Sequence, residues 1–360
     1  MTSSRPRHAA ARRLRGRAAV VSLLLGAGVL AVVGNAAQGP SRAPQAEAEP
    51  SDTAKVAARL QWLEERDAGD EAARRAVVRR FASTPGWKLQ PCDRYFLATN
   101  SDDATFIEGT RRRLEAVRAR LVREYPPRTP IGGPNMHSRV VVLALRDRTG
   151  FNEYGGAGGT VAAYHITKRE LFFHDEPDPN KRSEGVWPGL QSVAAMAYLR
   201  ELSDASGTAF PEWIVQGIAG RFEALELTDA GRFAPRRDVR EVTRFEAAFR
   251  GAELLSIEQL MSFSLREFET GGRWKGNRGL LHRYQAAVFL EFLSSEGRGL
   301  FAWDARWGEI VPSYVDAVLE GRPADECRAR ALDGIDLSEL EAGWRLWVER
   351  RIRFGSLPPD

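Results

Sequence analysis

Strand-like runs in this chain are confined to its first half, and helical periodicity takes over after Pro188. That order limits the fold more than any other feature. It predicts an α+β architecture, not the alternating βαβ units of a nucleotide-binding sheet. Tyr95–Ala98 reads as a short strand, and the unbroken apolar run Val140–Leu145 as a buried one. Val161–His165 and Glu170–His174 read as a hairpin turning around Lys168 and Arg169. Between the first two strands, Thr105–Glu124 carries Leu114, Val117 and Leu121 at helical spacing, with Asp102 or Asp103 placed as its cap. Its triplet Arg111-Arg112-Arg113 reads as a solvated face. Candidate helices then follow at Gly189–Leu202, Pro211–Leu227, Val239–Phe249, Leu280–Leu293 and Leu337–Arg350, with no internal repeat.

The basic pI of about 9.2 does not imply a nucleic-acid partner. Six arginines (Arg5, Arg7, Arg12, Arg13, Arg15 and Arg17) crowd the start of the chain with no acid among them. Without them, 46 basic residues face 48 acidic ones, so the remainder is slightly acidic. The arginines precede an uncharged run, Ala18–Val33, and then the small residues Gly34-Asn35-Ala36-Ala37, where a signal peptidase could cut. Residues 1–37 therefore read as a signal peptide or as an N-terminal membrane anchor, the run being short against the ~20 residues of a span. Either reading places the rest outside the cytoplasm, free in the periplasm or extracellular space or tethered through residues 18–33. Residues 38–52, rich in Pro, Ala, Ser and Glu, read as a flexible linker, and 53–89 as an N-terminal helical segment. In an oxidising compartment the two cysteines, Cys92 and Cys327, either bridge or stand as separate buried thiols.

The string Phe210-Pro211-Glu212-Trp213-Ile214-Val215-Gln216-Gly217-Ile218-Ala219-Gly220-Arg221-Phe222-Glu223 carries a resemblance. It is similar to the P-x-W-x-x-E-G-x-A-x-x-F-E helix of gluzincin-type zinc metallopeptidases, and looks most like an uncharacterised exported bacterial family of that group. Pro211, Trp213, Gly217, Ala219, Phe222 and Glu223 match the pattern, while Gln216 stands where the family has Glu. The resemblance extends over residues 90–350 through patterns at Tyr95–Glu124, Val140–Tyr154, Leu281–Leu293 and Leu340–Val348. It implies a zincin-like fold, with a sheet-bearing half at 90–187 and a helical half at 188–350.

In that family a preceding helix carries H-E-x-x-H. Two His at i and i+4 share a helix face and occupy two tetrahedral positions on zinc. The Glu beside the first deprotonates the metal-bound water, and a Glu on the next helix is the third ligand. Here the best register places Ala194 and Tyr198 at the two His, Ala195 at the base and Gln216 at the third ligand. Alanine offers no donor atom, tyrosine with its pKa near ~10 seldom binds zinc, and a neutral amide oxygen is a poor zinc ligand. The resemblance thus implies a pseudo-metallopeptidase with no catalytic set and no cofactor. Its role would be to bind a peptide or protein in the old cleft, or to serve as an envelope scaffold. A gap between the two helices filled by side chains such as Met196 and Tyr198 would point to the scaffold. The alternative is an envelope hydrolase using Gln216, Tyr198, Glu201 or the pair His165/His174 in a non-standard site.

Of the five histidines, His8, His137, His165, His174 and His282, no two have helical metal-ligand spacing. His165 and His174 are the candidate metal pair, expected to face each other across the hairpin with Asp175 and Glu176 following; two strand-end histidines beside a solvated acidic loop is the plainer reading. Gly155–Gly159 lacks the Lys-Ser/Thr of a phosphate loop and reads as a mobile loop; the gluzincin resemblance implies that it lies just ahead of the edge strand that pairs with extended peptide, and so a retained peptide groove. Asp175, Glu176 and Asp178 do not match a calcium loop. The tryptophans, Trp213, Trp303, Trp307, Trp344 and Trp347 among them, read as core.

Overall fold

Alternation along the strands decides how the sheet is buried. The computed structural model describes residues 75–81, 84–92, 94–126, 140–156, 160–175, 185–236, 240–251, 253–270, 279–295 and 303–354. The signal or anchor segment, the linker, the first part of the 53–89 segment and Glu176 and Asp178 lie outside them. Helix α1 (75–81) precedes β1 (Lys88–Gln90), β2 (Tyr95–Thr99), α2 (Ala104–Glu124), β3 (Val140–Leu145), α3 (Arg148–Glu153), β4 (Ala162–His165) and β5 (Glu170–His174). These strands form one sheet in the order β1-β2-β3-β5-β4. The centre, β2-β3-β5, is parallel, and both edge strands run antiparallel to it. Side chains at every second position therefore share a face. Tyr95, Leu97, Val140, Val142, Ala144, Leu171 and Phe173 enter the main core with α2. Ala98, Leu143, Leu145 and Phe172 point the other way and are covered by Val77 and Phe81 of α1 and Phe151 of α3. The last part of the N-terminal helical segment thus shares a core with the sheet, and the sheet itself begins at Lys88.

The second half is helical, as its periodicity predicts. Helix α4 (Trp187–Ser206) and α5 (Glu212–Glu223) lead into a small hairpin, β6 (Leu225–Leu227) and β7 (Phe233–Pro235). Helices α6 (Arg240–Arg250), α7 (Ile257–Ser262), α8 (Leu265–Thr270), α9 (Gly279–Leu293), α10 (Ala305–Gly308), α11 (Ile310–Leu319), α12 (Ala324–Ala331) and α13 (Leu337–Phe354) complete it. The chain is α+β, with a mixed five-stranded sheet followed by helices.

Three local differences from the sequence expectation have physical causes. Helix α4 runs four residues beyond Leu202, because Gly207 takes the left-handed φ of 75° that closes a helix C-terminus. Helix α5 stops at Glu223, and Leu225–Leu227 leaves it to pair with Phe233–Pro235. The arginine triplet is solvated only at Arg111 and Arg112, because Arg113 lies 4.0 Å from the centre of the Trp187 ring. Among the described residues no helix is long and apolar enough to cross a membrane.

Candidate functional site

Helices α4 and α5 form the frame on which the resemblance places its chemistry. The turn between them is built by side chains. Ser203 accepts the Phe210 backbone N–H at 3.1 Å and donates to the Leu199 carbonyl at 3.0 Å. Arg200 pairs with Glu212 across the turn. Further back, the buried Gln191 amide donates to the carbonyls of Phe222 and Leu225 at 2.9 and 2.8 Å, tying α4 to the far end of α5. Gly217 lets α9 approach α5, since a Cβ there would stand 2.9 Å from the Ala286 carbonyl oxygen. The matched residues Trp213, Gly217, Ala219 and Phe222 thus make a packing frame, and Trp213 is fully buried against Phe289 and Tyr314.

Within this frame the four chemical positions are sealed. Ala194, Ala195, Tyr198 and Gln216 are each no more than 2% exposed. The Tyr198 hydroxyl donates to the Tyr125 carbonyl at 2.9 Å, which pins the side chain at the end of α2. Burial, more than any charge nearby, holds its pKa above the ordinary tyrosine value, so it stays a neutral donor. Met196 is half-buried against the same core. Gln216 donates to Glu212 at a long 3.4 Å, and its buried carbonyl oxygen has no hydrogen-bond partner. These residues do not fit zinc, because two are methyl groups, one is a committed phenol and one is a neutral amide. Among the described residues no three His, Cys, Asp or Glu side chains gather as a metal site.

Two substitutions report on the seal. Tyr198→Phe removes one buried hydrogen bond and is expected to cost about 1 kcal/mol. Gln216→Met removes an amide whose oxygen is orphaned, and is expected to be neutral or to stabilise by up to ~1 kcal/mol. Urea unfolding of both variants checks these values.

Beside the seal lies a buried ion pair that sequence reasoning did not find, although Glu201 was singled out for other reasons. Arg118 of α2 donates to Glu201 of α4 at 2.9 Å, with both side chains almost fully buried. The guanidinium also lies 5.8 and 5.4 Å from the ring centres of Tyr95 and Tyr198. Burial alone would lower the Arg118 pKa, but the Glu201 carboxylate and the Tyr95 hydroxyl more than reverse it, so it stays charged. Glu201 is committed to this pair, which leaves it poorly placed as a reactive carboxylate in the alternative enzyme reading.

The histidine pair does not converge. In the hairpin register His165 stands opposite Glu170, while Ala162 opposes Phe173, so His174 lies at the other end of the ladder. His174 is fully buried edge-on to Phe151, with the ring centres 5.1 Å apart. His165 instead accepts the Lys168 backbone N–H at 3.3 Å within the turn. Strand β4 is an edge strand, as the resemblance implies for the strand after the glycine-rich loop, and residues 157–159 of that loop lie outside the described residues.

Cys92 and Cys327 are separate thiols, so the disulfide alternative is not realised. Cys92 donates to Glu115 at 3.1 Å and Cys327 to the Arg322 carbonyl at 3.4 Å. Burial first, then the Glu115 carboxylate, push the Cys92 pKa up to about 12, which keeps it protonated at neutral pH. The expected result with a disulfide-exchange reagent at pH 8 is two slow thiols in the folded chain and two fast ones in urea.

Comparison with protein-family models finds no match, and a search of curated proteins finds none either.

Proposed function

We propose that the chain is a zincin-like protein without catalytic activity, exported or anchored at the cytoplasmic membrane, that serves the cell envelope as a scaffold. Any peptide or protein partner is held on its surface. The observation that carries this reading is the seal between α4 and α5. All four positions where the resemblance places metal chemistry are buried, and Tyr198 is tied to the Tyr125 carbonyl across the end of α2. A cleft that takes substrate must present open space beside its reactive groups, and these residues present none. The frame residues around them keep their packing roles, as a fold does when its site chemistry is lost.

The test is proteolysis by the full-length chain against a mixed peptide library, with and without a chelator. The expected result is no cleavage under either condition. Cleavage that a chelator abolishes would overturn the reading, and cleavage that a chelator leaves intact but Tyr198→Phe or Gln216→Ala abolishes would establish the enzyme alternative.

A further inference from the structure

The two faces of the sheet are covered to different depths. One lies against α2 and the main core of long helices. Among the described residues the other is capped by Val77 and Phe81 of α1 and Phe151 of α3, two helices of at most seven residues. Val141 on that face is only partly buried. Leu89 of β1 pairs with Ala98 and so shares the face, yet it is 38% exposed. Val78 of α1 is 41% exposed. Both flank one corner, because the Phe81 ring of α1 lies 4.7 Å from that of Trp87, the residue before β1. The two edges of the sheet differ in the same sense. Strand β4 packs against α4, whereas β1 carries the half-exposed leucine. Natural sheets commonly close such an edge with a helix or a loop.

The chain itself supplies a covering piece. The residues ahead of Arg75 lead straight into α1, which places their end beside this corner. Within them Val56, Leu60 and Leu63 recur at i, i+4 and i+7, one helix face, while Gln61 and Glu65 fall on the opposite side. Gly69 offers the break at which such a helix can turn back. Leu63 lies 12 residues before Arg75, and an extended chain of that length spans about 40 Å, so reach sets no limit. Charge favours the return as well. The stretch 64–71 holds five acids and one arginine, while α1 holds no acid and three arginines, of which Arg80 is committed to Glu170. Covalent attachment also gives this segment an effective concentration that a separate partner does not have.

We propose that residues 53–66 form a helix that docks on this corner, with Val56, Leu60 and Leu63 seated against Leu89, Val141 and Val78. Docking closes the β1 edge, thickens the shallow face of the sheet, and makes Thr53 rather than Arg75 the point where the folded body begins. The inference does not depend on the reading of the sealed positions between α4 and α5.

The test is photo-crosslinking from benzoylphenylalanine placed at Leu89 and, separately, at Val78, in an equal mixture of isotopically light and heavy full-length chains. The expected product is a crosslink to the peptide 53–66 of the same chain. Crosslinks between light and heavy chains would assign the corner to a second copy, and no crosslink to 53–66 would leave it without this occupant; either result overturns the proposal. Hydrogen exchange of Leu60→Asp with Leu63→Asp gives a second reading. Amides of α1 and β1 are expected to exchange about tenfold faster or more, since one buried leucine is worth at least that in an opening equilibrium, while β5 keeps its protection and so reports that the variant is folded. Unchanged exchange in α1 and β1 would contradict the proposal, and the crosslink decides it whether or not the double variant folds.

Discussion

Glu201→Gln is expected to destabilise the fold by about 3–5 kcal/mol, because it leaves the buried Arg118 guanidinium without its counter-charge. The pair is 2% and 1% exposed at the side chains, so water cannot replace the lost partner. The pair's net contribution is a different quantity. Desolvating two ions nearly cancels their attraction, and apolar replacement of both partners is often neutral or stabilising. The double variant Arg118→Met with Glu201→Leu is therefore expected to recover most of the loss, giving strong non-additivity in a double-mutant cycle. Equilibrium urea unfolding of the three variants measures it. Additive losses would mean that each residue acts through packing alone.

Gly217→Ala is the second large effect, and here two terms oppose each other. Alanine in a helix gains about 1 kcal/mol over glycine. The added methyl, however, would sit 2.7 Å from Leu290 Cδ1 and 2.9 Å from the Ala286 carbonyl oxygen. A side-chain tip can move, but the backbone of α9 cannot without shifting the helix, and overpacking of this kind costs roughly 1–3 kcal/mol or more. The steric term wins, and a net loss of about 2 kcal/mol is expected. Gly220→Ala meets Ala287 Cβ at 3.0 Å and the Arg283 carbonyl oxygen only at 3.3 Å, so it is expected to cost distinctly less in the same thermal-unfolding series.

Different parts of this fold were legible to different degrees, for identifiable reasons. The central strands were legible because Val140–Leu145, and Leu171, Phe172 and Phe173 between Glu170 and His174, are apolar on both faces, which suits a sheet covered on both sides. Helix α2 was legible from its heptad-like apolar spacing and its cap, Asp103, which accepts the N–H groups of Thr105 and Phe106. Helix α11 was not, because Pro312 interrupts an otherwise apolar run. Proline is tolerated there only because it falls in the first turn, where its missing N–H has no helical partner. The hairpin β6–β7 was hidden because each strand is three residues long and the first continues the apolar pattern of α5.

The candidate site divides in the same way. The mismatch with the zinc-binding set of the resembled family is a statement about residue types and could be read directly from Ala194, Ala195, Tyr198 and Gln216. The seal could not, because the partner of Tyr198 is a backbone carbonyl 73 positions away. The Arg118–Glu201 pair links positions 83 apart, and Arg118 stands in a helix crowded with solvated arginines, so nothing local distinguished it. The failure of the His165/His174 pairing was legible in principle. A hairpin whose turn spans 166–169 must pair His165 with Glu170, and every later residue on β5 then pairs further back along β4.

The most direct test of the proposal that the chain holds no catalytic zinc is the zinc content of the full-length chain, purified from cells grown with added zinc and then dialysed. The expected metal-to-protein ratio is near zero, unchanged in Gln216→Met. A ratio near one would contradict the proposal, and would mean that the chain holds zinc through ligands other than Ala194, Tyr198 and Gln216.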